Sequence, residues 1–255
     1  MKSIILALSF LCLAVSVTFF LLYFIDGYQA RQEKEELIRK KTATETAISD
    51  LKQPKKKEIL PQYKALYEEN PDLIGWVKID GTPLDYPVMQ NEEDKEYYLH
   101  RNFNREYEYS GLPFLDHRCD ISETSTNLII YGHNMKSDSM FSCLLKYRDK
   151  DYYFLHPVIR FDTIYEESEY LIIAVIQSEV FRKSDDVFKF YNFIRADTEE
   201  EFNEYIKNMK QLSLYSTGTG AVFGDQLLTL VTCSYHTENG RFAVLAKKIR
   251  DRDET

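Results

Sequence analysis

This sequence has few cysteines and few closely spaced metal ligands, and its net charge is not positive. Its 255 residues include four cysteines, too few for the dense disulfide framework of a small secreted domain. The cysteines also lack the paired short spacings of a structural zinc site, so we expect neither a metal nor another cofactor. The formal net charge is -9, and this argues against a nucleic-acid partner because phosphate binding needs a clustered basic surface.

The negative charge is concentrated after the N-terminal quarter of the chain. Residues 61–255 hold 22 Lys and Arg against 34 Asp and Glu, so we do not expect an acidic polymer as substrate. Cys12 lies in an apolar N-terminal run, which leaves Cys119, Cys143 and Cys233. Because that number is odd, at least one thiol stays outside any intramolecular bridge.

The N-terminus contains a long apolar run. No charged residue occurs from Ile4 to Ile25, which is long enough for a helix to cross a membrane, and no small-residue cleavage site ends the run. We therefore predict an uncleaved, single-pass anchor at residues 1–25. Residues 26–60 are charged and poor in large apolar side chains, as is typical of a stalk. By the positive-inside rule, the basic clusters of residues 26–60 would place the part of the chain that follows them in the cytoplasm, although long translocated domains often escape this rule.

The pattern of residues 61–255 predicts one mainly β catalytic domain. A helix is predicted at Pro61–Glu69, with proline in its first turn, and two more at Met140–Lys150 and Thr198–Leu212. Short runs of β-branched and aromatic residues, separated by turn residues, predict eight strands: Leu73–Ile79, Leu84–Met89, Leu112–Leu115, Asn127–Tyr131, Val158–Phe161, Tyr170–Ile176, Leu227–Thr232 and Phe242–Ile249. Strands spaced in this way favour a closed β-barrel with peripheral helices.

A hairpin near the C-terminus contains a candidate nucleophile. One strand leads to Cys233, a loop with Asn239-Gly240 turns the chain, and the next strand begins at Arg241. If the strands pair antiparallel, Cys233 and Arg241 face each other. A guanidinium beside a thiol favours the thiolate and can stabilise an oxyanion. Taken alone, however, the hairpin better fits a buried cysteine and a surface arginine, because free cysteine is usually buried.

A cysteine nucleophile also needs a proton-transfer partner, and histidine suits this role near neutral pH. His133 follows the apolar run 128–131 and a glycine, so it lies where a strand ends and a loop opens. His236 lies in the loop that follows Cys233. The strand end favours His133 and proximity in sequence favours His236, and spacing alone does not decide between them.

Several segments resemble the class B sortases. Thr229-Leu230-Val231-Thr232-Cys233 resembles the T-L-x-T-C signature of the sortases, and Tyr131-Gly132-His133-Asn134-Met135 resembles their histidine segment. Four further segments are similar to class B landmarks: Gly75-Trp76-Val77, Asp85-Tyr86-Pro87-Val88, Tyr97-Tyr98-Leu99 and Phe114-Leu115-Asp116. A long insertion with a helix, at about residues 177–226, agrees with the same class. The resemblance covers about residues 60–250 and implies an eight-stranded sortase-type barrel.

The resemblance implies a membrane-anchored cysteine transpeptidase with Cys233, His133 and Arg241 as its catalytic residues. Its substrates would be surface proteins with a C-terminal sorting motif such as LPxTG or NPxTN. Cys233 would form a thioester with the threonine carbonyl, Arg241 would steady the oxyanion, and His133 would protonate the leaving amine. The acceptor would be an amine of a lipid-linked peptidoglycan precursor or, in pilus-building relatives, a pilin lysine. The catalytic domain would then lie outside the membrane of a Gram-positive cell, which overrides the charge count.

Three further residues are candidates for substrate binding. Thr232 either supports the oxyanion, as its family counterpart does, or is a strand threonine chosen for β propensity. Leu99 and Tyr131 either line the groove or fill the core, and we favour the core. Alternative functions are a thiol protease and a catalytically idle surface-binding module. The sequence does not define the sorting motif, the acceptor amine, the client proteins, the oligomeric state or the role of His236.

Overall fold

The computed structural model describes residues 57–122 and 125–249. The predicted anchor at residues 1–25, and the predicted stalk as far as residue 56, lie outside the described residues. Within the described ranges, no helix is both long and apolar enough to span a bilayer.

Eight strands close into a barrel, as the sequence pattern predicts. Their order around the barrel is β1-β2-β3-β4-β7-β8-β6-β5, and neighbours are antiparallel except for the pairs β2–β3 and β4–β7. All eight predicted strands are confirmed, with ends that differ by up to three residues. The strands are β1 Leu73–Lys78, β2 Asp85–Met89, β3 Phe114–Leu115, β4 Asn127–Tyr131, β5 Val158–Thr163, β6 Glu169–Glu179, β7 Leu227–Cys233 and β8 Gly240–Lys248.

Helices cover the outside of the barrel. In the described residues, the α-helices are α1 Pro61–Glu69, α2 Lys150–Leu155 and α3 Glu199–Leu212, and three 3₁₀ helices span Tyr97–His100, Ser142–Arg148 and Phe190–Asn192. Helix α3 begins where the side chain of Thr198 accepts a hydrogen bond from the Glu201 amide. Its buried side chains recur at three- and four-residue intervals, the spacing that puts them on one face against the core. The predictions for α1 and α3 are confirmed.

The helix predicted at Met140–Lys150 is wrong in type and in extent. Met140 has a φ of 54°, which an α-helix does not accommodate. A 3₁₀ helix then spans Ser142–Arg148, and Asp149 adopts extended geometry and caps α2 by accepting from the Asp151 amide at 2.9 Å. A capping aspartate starts a new helix because it satisfies an amide that has no intrahelical partner. The apolar spacing therefore belongs to two short helices.

Candidate active site

Two neighbouring parallel strands bring His133 and Cys233 to the same end of the barrel. Strands β4 and β7 pair in register from Asn127 opposite Leu227 to Tyr131 opposite Val231. The pairing continues one step further, since the Gly132 amide donates to the Val231 carbonyl at 3.0 Å. Because parallel strands end at the same edge of a sheet, the residues that follow them emerge side by side. The topology thus joins residues that are far apart in sequence.

The hairpin of β7 and β8 brings Arg241 to the same place. Cys233 and Arg241 are register partners in this antiparallel pair, as the sequence predicts. The Arg241 guanidinium donates through Nη1 to the carbonyls of Asn239 at 3.3 Å and Gly240 at 3.0 Å. No carboxylate of the described ranges forms an ion pair with Arg241. Its remaining N–H groups are therefore available to a substrate oxygen.

The imidazole of His133 is held from the neighbouring segment. Its Nε2 lies 2.8 Å from the carbonyl oxygen of Leu99. A carbonyl can only accept a hydrogen bond, so Nε2 carries a hydrogen whether the ring is neutral or charged. Any proton that His133 takes up or gives away is then carried by Nδ1. The ring also stacks with His100 and Tyr109, at centroid distances of 5.3 and 6.4 Å.

One open groove of about 400 Å³ joins these groups. Its walls include the six residues predicted to be catalytic or substrate-binding: Leu99, Tyr131, His133, Thr232, Cys233 and Arg241. Val180, Phe190 and Tyr191 of the insertion at 177–226 also contribute, so the insertion shapes one side of the groove. Leu99 and Tyr131 both line the groove and pack against an adjacent apolar cluster. The expectation that these two residues mainly fill the core is therefore incomplete.

The hydroxyl of Thr232 is already engaged. Thr232 is buried, and its Oγ1 donates to the carbonyl of Gly132 at 2.7 Å. A hydroxyl has a single hydrogen to donate, so it cannot stabilise an oxyanion while this bond is present. The bond ties the end of β7 to the end of β4, and Asn134 reinforces this link by donating through Nδ2 to the Cys233 carbonyl at 3.2 Å.

His236 lies outside the groove. Its Nδ1 is 2.8 Å from the hydroxyl of Ser234, and that hydroxyl also accepts a hydrogen bond from Arg148 at 3.0 Å. The side chain lines a separate hollow with Glu179 and Thr237. Of the two histidines that the spacing left open, His133 shares a groove with Cys233, and His236 braces the hairpin loop.

Similarity to known proteins identifies the family of this chain. The sequence model of the Sortase domain matches residues 77–249. Sortase B of Listeria monocytogenes is 34% identical over 196 residues, which cover 75% of this chain and 76% of that protein. The chain belongs to the sortase family. It falls in class B, and like the other members this sortase is a cysteine transpeptidase.

Solved structures show the same fold. A Bacillus anthracis protein described as similar to sortase B superposes with a TM-score of 0.67 at 32% identity, covering 78% of this sortase and 88% of that chain. A Staphylococcus aureus sortase B–substrate complex superposes with a TM-score of 0.67 at 25% identity, covering 86% and 97%. The predicted sortase-type barrel is therefore confirmed.

A buried carboxylate, Asp116, forms part of the groove wall of this sortase; it belongs to a landmark segment of the sequence but was not predicted to be a site residue. Asp116 is 6% exposed and accepts three hydrogen bonds from Arg118, from Nε at 2.9 Å, Nη2 at 2.8 Å and the backbone amide at 3.0 Å. It also accepts one from the Tyr131 hydroxyl at 3.1 Å. Burial raises the pKa of Asp116, but the hydrogen bonds and charge of Arg118 outweigh burial, so the pKa lies below its ordinary value. Burial and the Asp116 charge raise the pKa of Tyr131. The sequence feature that could have indicated Asp116 is a charged residue directly after a buried strand.

The thiols of this sortase differ sharply in their surroundings. Cys119, Cys143 and Cys233 are all free, and the first two are buried. Burial raises the pKa of Cys119 to about 12 and that of Cys143 to about 11, so both stay protonated at neutral pH. Cys233 is partly exposed and lies in the groove. Among the described cysteines, it is the one that a reagent or substrate can reach.

Proposed function

We propose that this sortase cleaves a C-terminal sorting motif of the LPxTG or NPxTN kind in surface proteins and transfers the threonine carbonyl to a cell-wall precursor amine. Cys233 is the nucleophile, His133 the acid and base, and Arg241 the electrophilic stabiliser. The observation that carries this proposal is that all three side chains line one groove. Acyl transfer requires a nucleophile, a proton carrier and a cationic hydrogen-bond donor at one surface.

The first half of the reaction makes a thioester. The Cys233 thiolate attacks the threonine carbonyl carbon, and the carbonyl oxygen becomes an oxyanion that accepts hydrogen bonds from Arg241. The bond between threonine and the next residue then breaks. The leaving nitrogen takes the proton from Nδ1 of His133, since the hydrogen on Nε2 is bonded to the Leu99 carbonyl.

The second half transfers the acyl group. An acceptor amine attacks the thioester carbon and gives its proton to Nδ1 of His133, and the carbon–sulfur bond breaks to restore the thiolate. A sortase B structure in complex with triglycine superposes on this chain with a TM-score of 0.67, which supports a glycine amine as acceptor. The substrate complex of the Staphylococcus aureus sortase B supports a peptide in the groove.

The decisive test is a Cys233→Ala variant of the full chain in a peptide-cleavage assay. Sorting-motif peptides of both kinds are supplied with and without triglycine. We expect the variant to lose activity by roughly 10³-fold or more, because the bond-forming atom is removed. Cys143→Ala is the matched control, since Cys143 does not line the groove, and it should keep its rate while thermal unfolding shows that both variants fold. Retained cleavage by Cys233→Ala would refute the proposal.

Product analysis and thiol labelling separate the alternatives. A transpeptidase gives a peptide–triglycine adduct, whereas a thiol protease gives only the free acid. A surface-binding module would give neither product, and its Cys233 would not react with a thiol-directed probe at neutral pH. We expect the adduct, together with rapid labelling of Cys233.

A further inference from the structure

The segment from Tyr97 to Leu112 places two unassigned rings beside the groove. The segment folds back on itself, because the Glu108 amide donates to the His100 carbonyl at 3.1 Å and the Leu112 amide donates to the Tyr98 carbonyl at 3.0 Å. As a result, the rings of His100 and Tyr109 lie together, and His100 directly follows Leu99, the residue whose carbonyl binds His133.

The three rings of His100, Tyr109 and His133 are nearly parallel. His100 lies 5.3 Å from His133 with an interplanar angle of 24°, and Tyr109 lies 6.4 Å from His133 at 8°. His100 and Tyr109 are 5.8 Å apart at 22°. Nδ1 of His100 is also 3.0 Å from the Tyr109 carbonyl, which links the two residues a second time. Offset parallel rings at these distances attract each other.

Tyr109 is unusual because it is 69% exposed yet packs against a groove residue. An exposed tyrosine contributes little to a core, so its contact with His133 has no evident role in the stability of the barrel. The neighbouring Tyr107 is 78% exposed, and among the rings of the described residues it approaches that of His100, at 6.3 Å with a 36° tilt, but not that of His133. These two tyrosines therefore form a matched pair, of which one touches the His133 ring.

We infer that His100 and Tyr109 are positioning residues that fix the plane of the His133 imidazole and thereby the direction of its Nδ1. The single hydrogen bond from Nε2 to the Leu99 carbonyl restrains one atom of the ring, but bending of this bond still allows some rotation about the Cβ–Cγ bond of His133. Two parallel rings beside the imidazole oppose this rotation. Nδ1 then keeps its direction for both proton transfers. This inference rests on the proposed role of His133 as acid and base.

The first measurement is steady-state kinetics on the full chain. We expect His100→Ala and Tyr109→Ala to lower kcat by about 10-fold while KM changes by less than about twofold, because poor orientation affects the reacting state more than binding. His100→Phe keeps a flat ring and should restore at least about half of kcat. Tyr107→Ala is the control and should match the wild type. An equal loss in Tyr107→Ala, or no rescue by His100→Phe, would overturn the inference.

The second measurement does not depend on activity. The full chain is labelled with ¹⁵N-histidine, and the His133 signals are identified by their absence in His133→Gln. At alkaline pH, where imidazoles are neutral, the wild type should show the Nε2–H tautomer alone. His100→Ala should show both tautomers, with the two nitrogen shifts moved toward each other. An unchanged His133 spectrum in His100→Ala would overturn the inference. Absence of any Cys233-dependent cleavage by the wild type would instead refute the proposed function, and the spectra would still test positioning.

Discussion

Asp116 shows how one buried charge is kept stable beside a reactive groove. Removing a charged group from water is costly unless hydrogen bonds replace the water. Here Arg118 supplies three N–H groups, two from its guanidinium and one from its backbone, and Tyr131 supplies one O–H group. Arg118 also donates to the carbonyl of Tyr191 at 2.6 Å. The network therefore connects Tyr131 at the end of β4 with Tyr191 in the insertion, two residues that face the same groove.

We expect Asp116→Asn to lower the free energy of unfolding by about 2–3 kcal/mol at neutral pH. This is less than the roughly 3–5 kcal/mol found when a fully buried pair is broken, because the Arg118 side chain is 38% exposed. The folded-state pKa of Asp116 lies below its ordinary value. The stabilisation is therefore complete above the ordinary aspartate pKa and is lost as the pH falls through the folded-state pKa. Urea denaturation over a pH series measures both effects.

Asp138→Asn is the matched control for this experiment. Asp138 pairs with Lys146 at 2.8 Å, and both side chains are about half exposed. Surface pairs of this kind contribute little, so the change should stay within about 0.5 kcal/mol at every pH. A pH-independent loss in Asp116→Asn would contradict a charge-based role for Asp116.

Among the secondary-structure elements, the end of β4 sets the position of His133. Gly132 lies between the strand and His133, and the His133 carbonyl accepts a hydrogen bond from the Phe141 amide at 2.9 Å. A Cβ added at Gly132 would lie 2.6 Å from Cγ of Phe141, whose side chain is fully buried. Backbone or ring must then move, and His133 is the next residue along the chain.

We expect Gly132→Ala to cost about 1–3 kcal/mol of stability through overpacking and to lower kcat at temperatures where the protein is fully folded. Thermal unfolding and peptide cleavage measure the two effects separately. Gly220→Ala serves as control, because its added Cβ would meet mainly the flexible end of Lys210. A Gly132→Ala variant with a normal rate would show that the contact with Phe141 does not position His133.

Hairpin pairing between β7 and β8 follows from sequence more readily than the contact between β4 and β7. The hairpin partners are separated by a short loop with a turn-forming Asn239-Gly240 pair, so local turn chemistry sets their register. Strands β4 and β7 are about 100 residues apart, and parallel pairing between them depends on how the whole chain buries its apolar strands. Cys233 and Arg241 could thus be placed together from the pattern, whereas His133 could not.

At the scale of the whole molecule, the membrane anchor stays a prediction from sequence. We expect the full chain to sediment with membranes and to resist an alkaline wash, because the uncharged run from Ile4 to Ile25 is as long as a membrane-crossing helix. A variant that begins at residue 27 should appear in the soluble fraction. Solubility of the full chain without detergent would contradict the anchor. The division into anchor, stalk and catalytic domain is tested by the same fractionation.

Local sequence patterns were enough to predict the strands, α1, α3 and the pairing of Cys233 with Arg241. These features depend on alternation, helical periodicity and turn residues, all of which act over a few positions. The resemblance to class B sortases also selected His133 over His236. Other features are visible only in the tertiary structure. The Leu99 carbonyl binds His133, Asp116 is buried against Arg118, and His100 and Tyr109 stack beside the groove. Except for the local pair of Asp116 and Arg118, these contacts join segments that are distant in sequence, and the closed barrel brings them within reach.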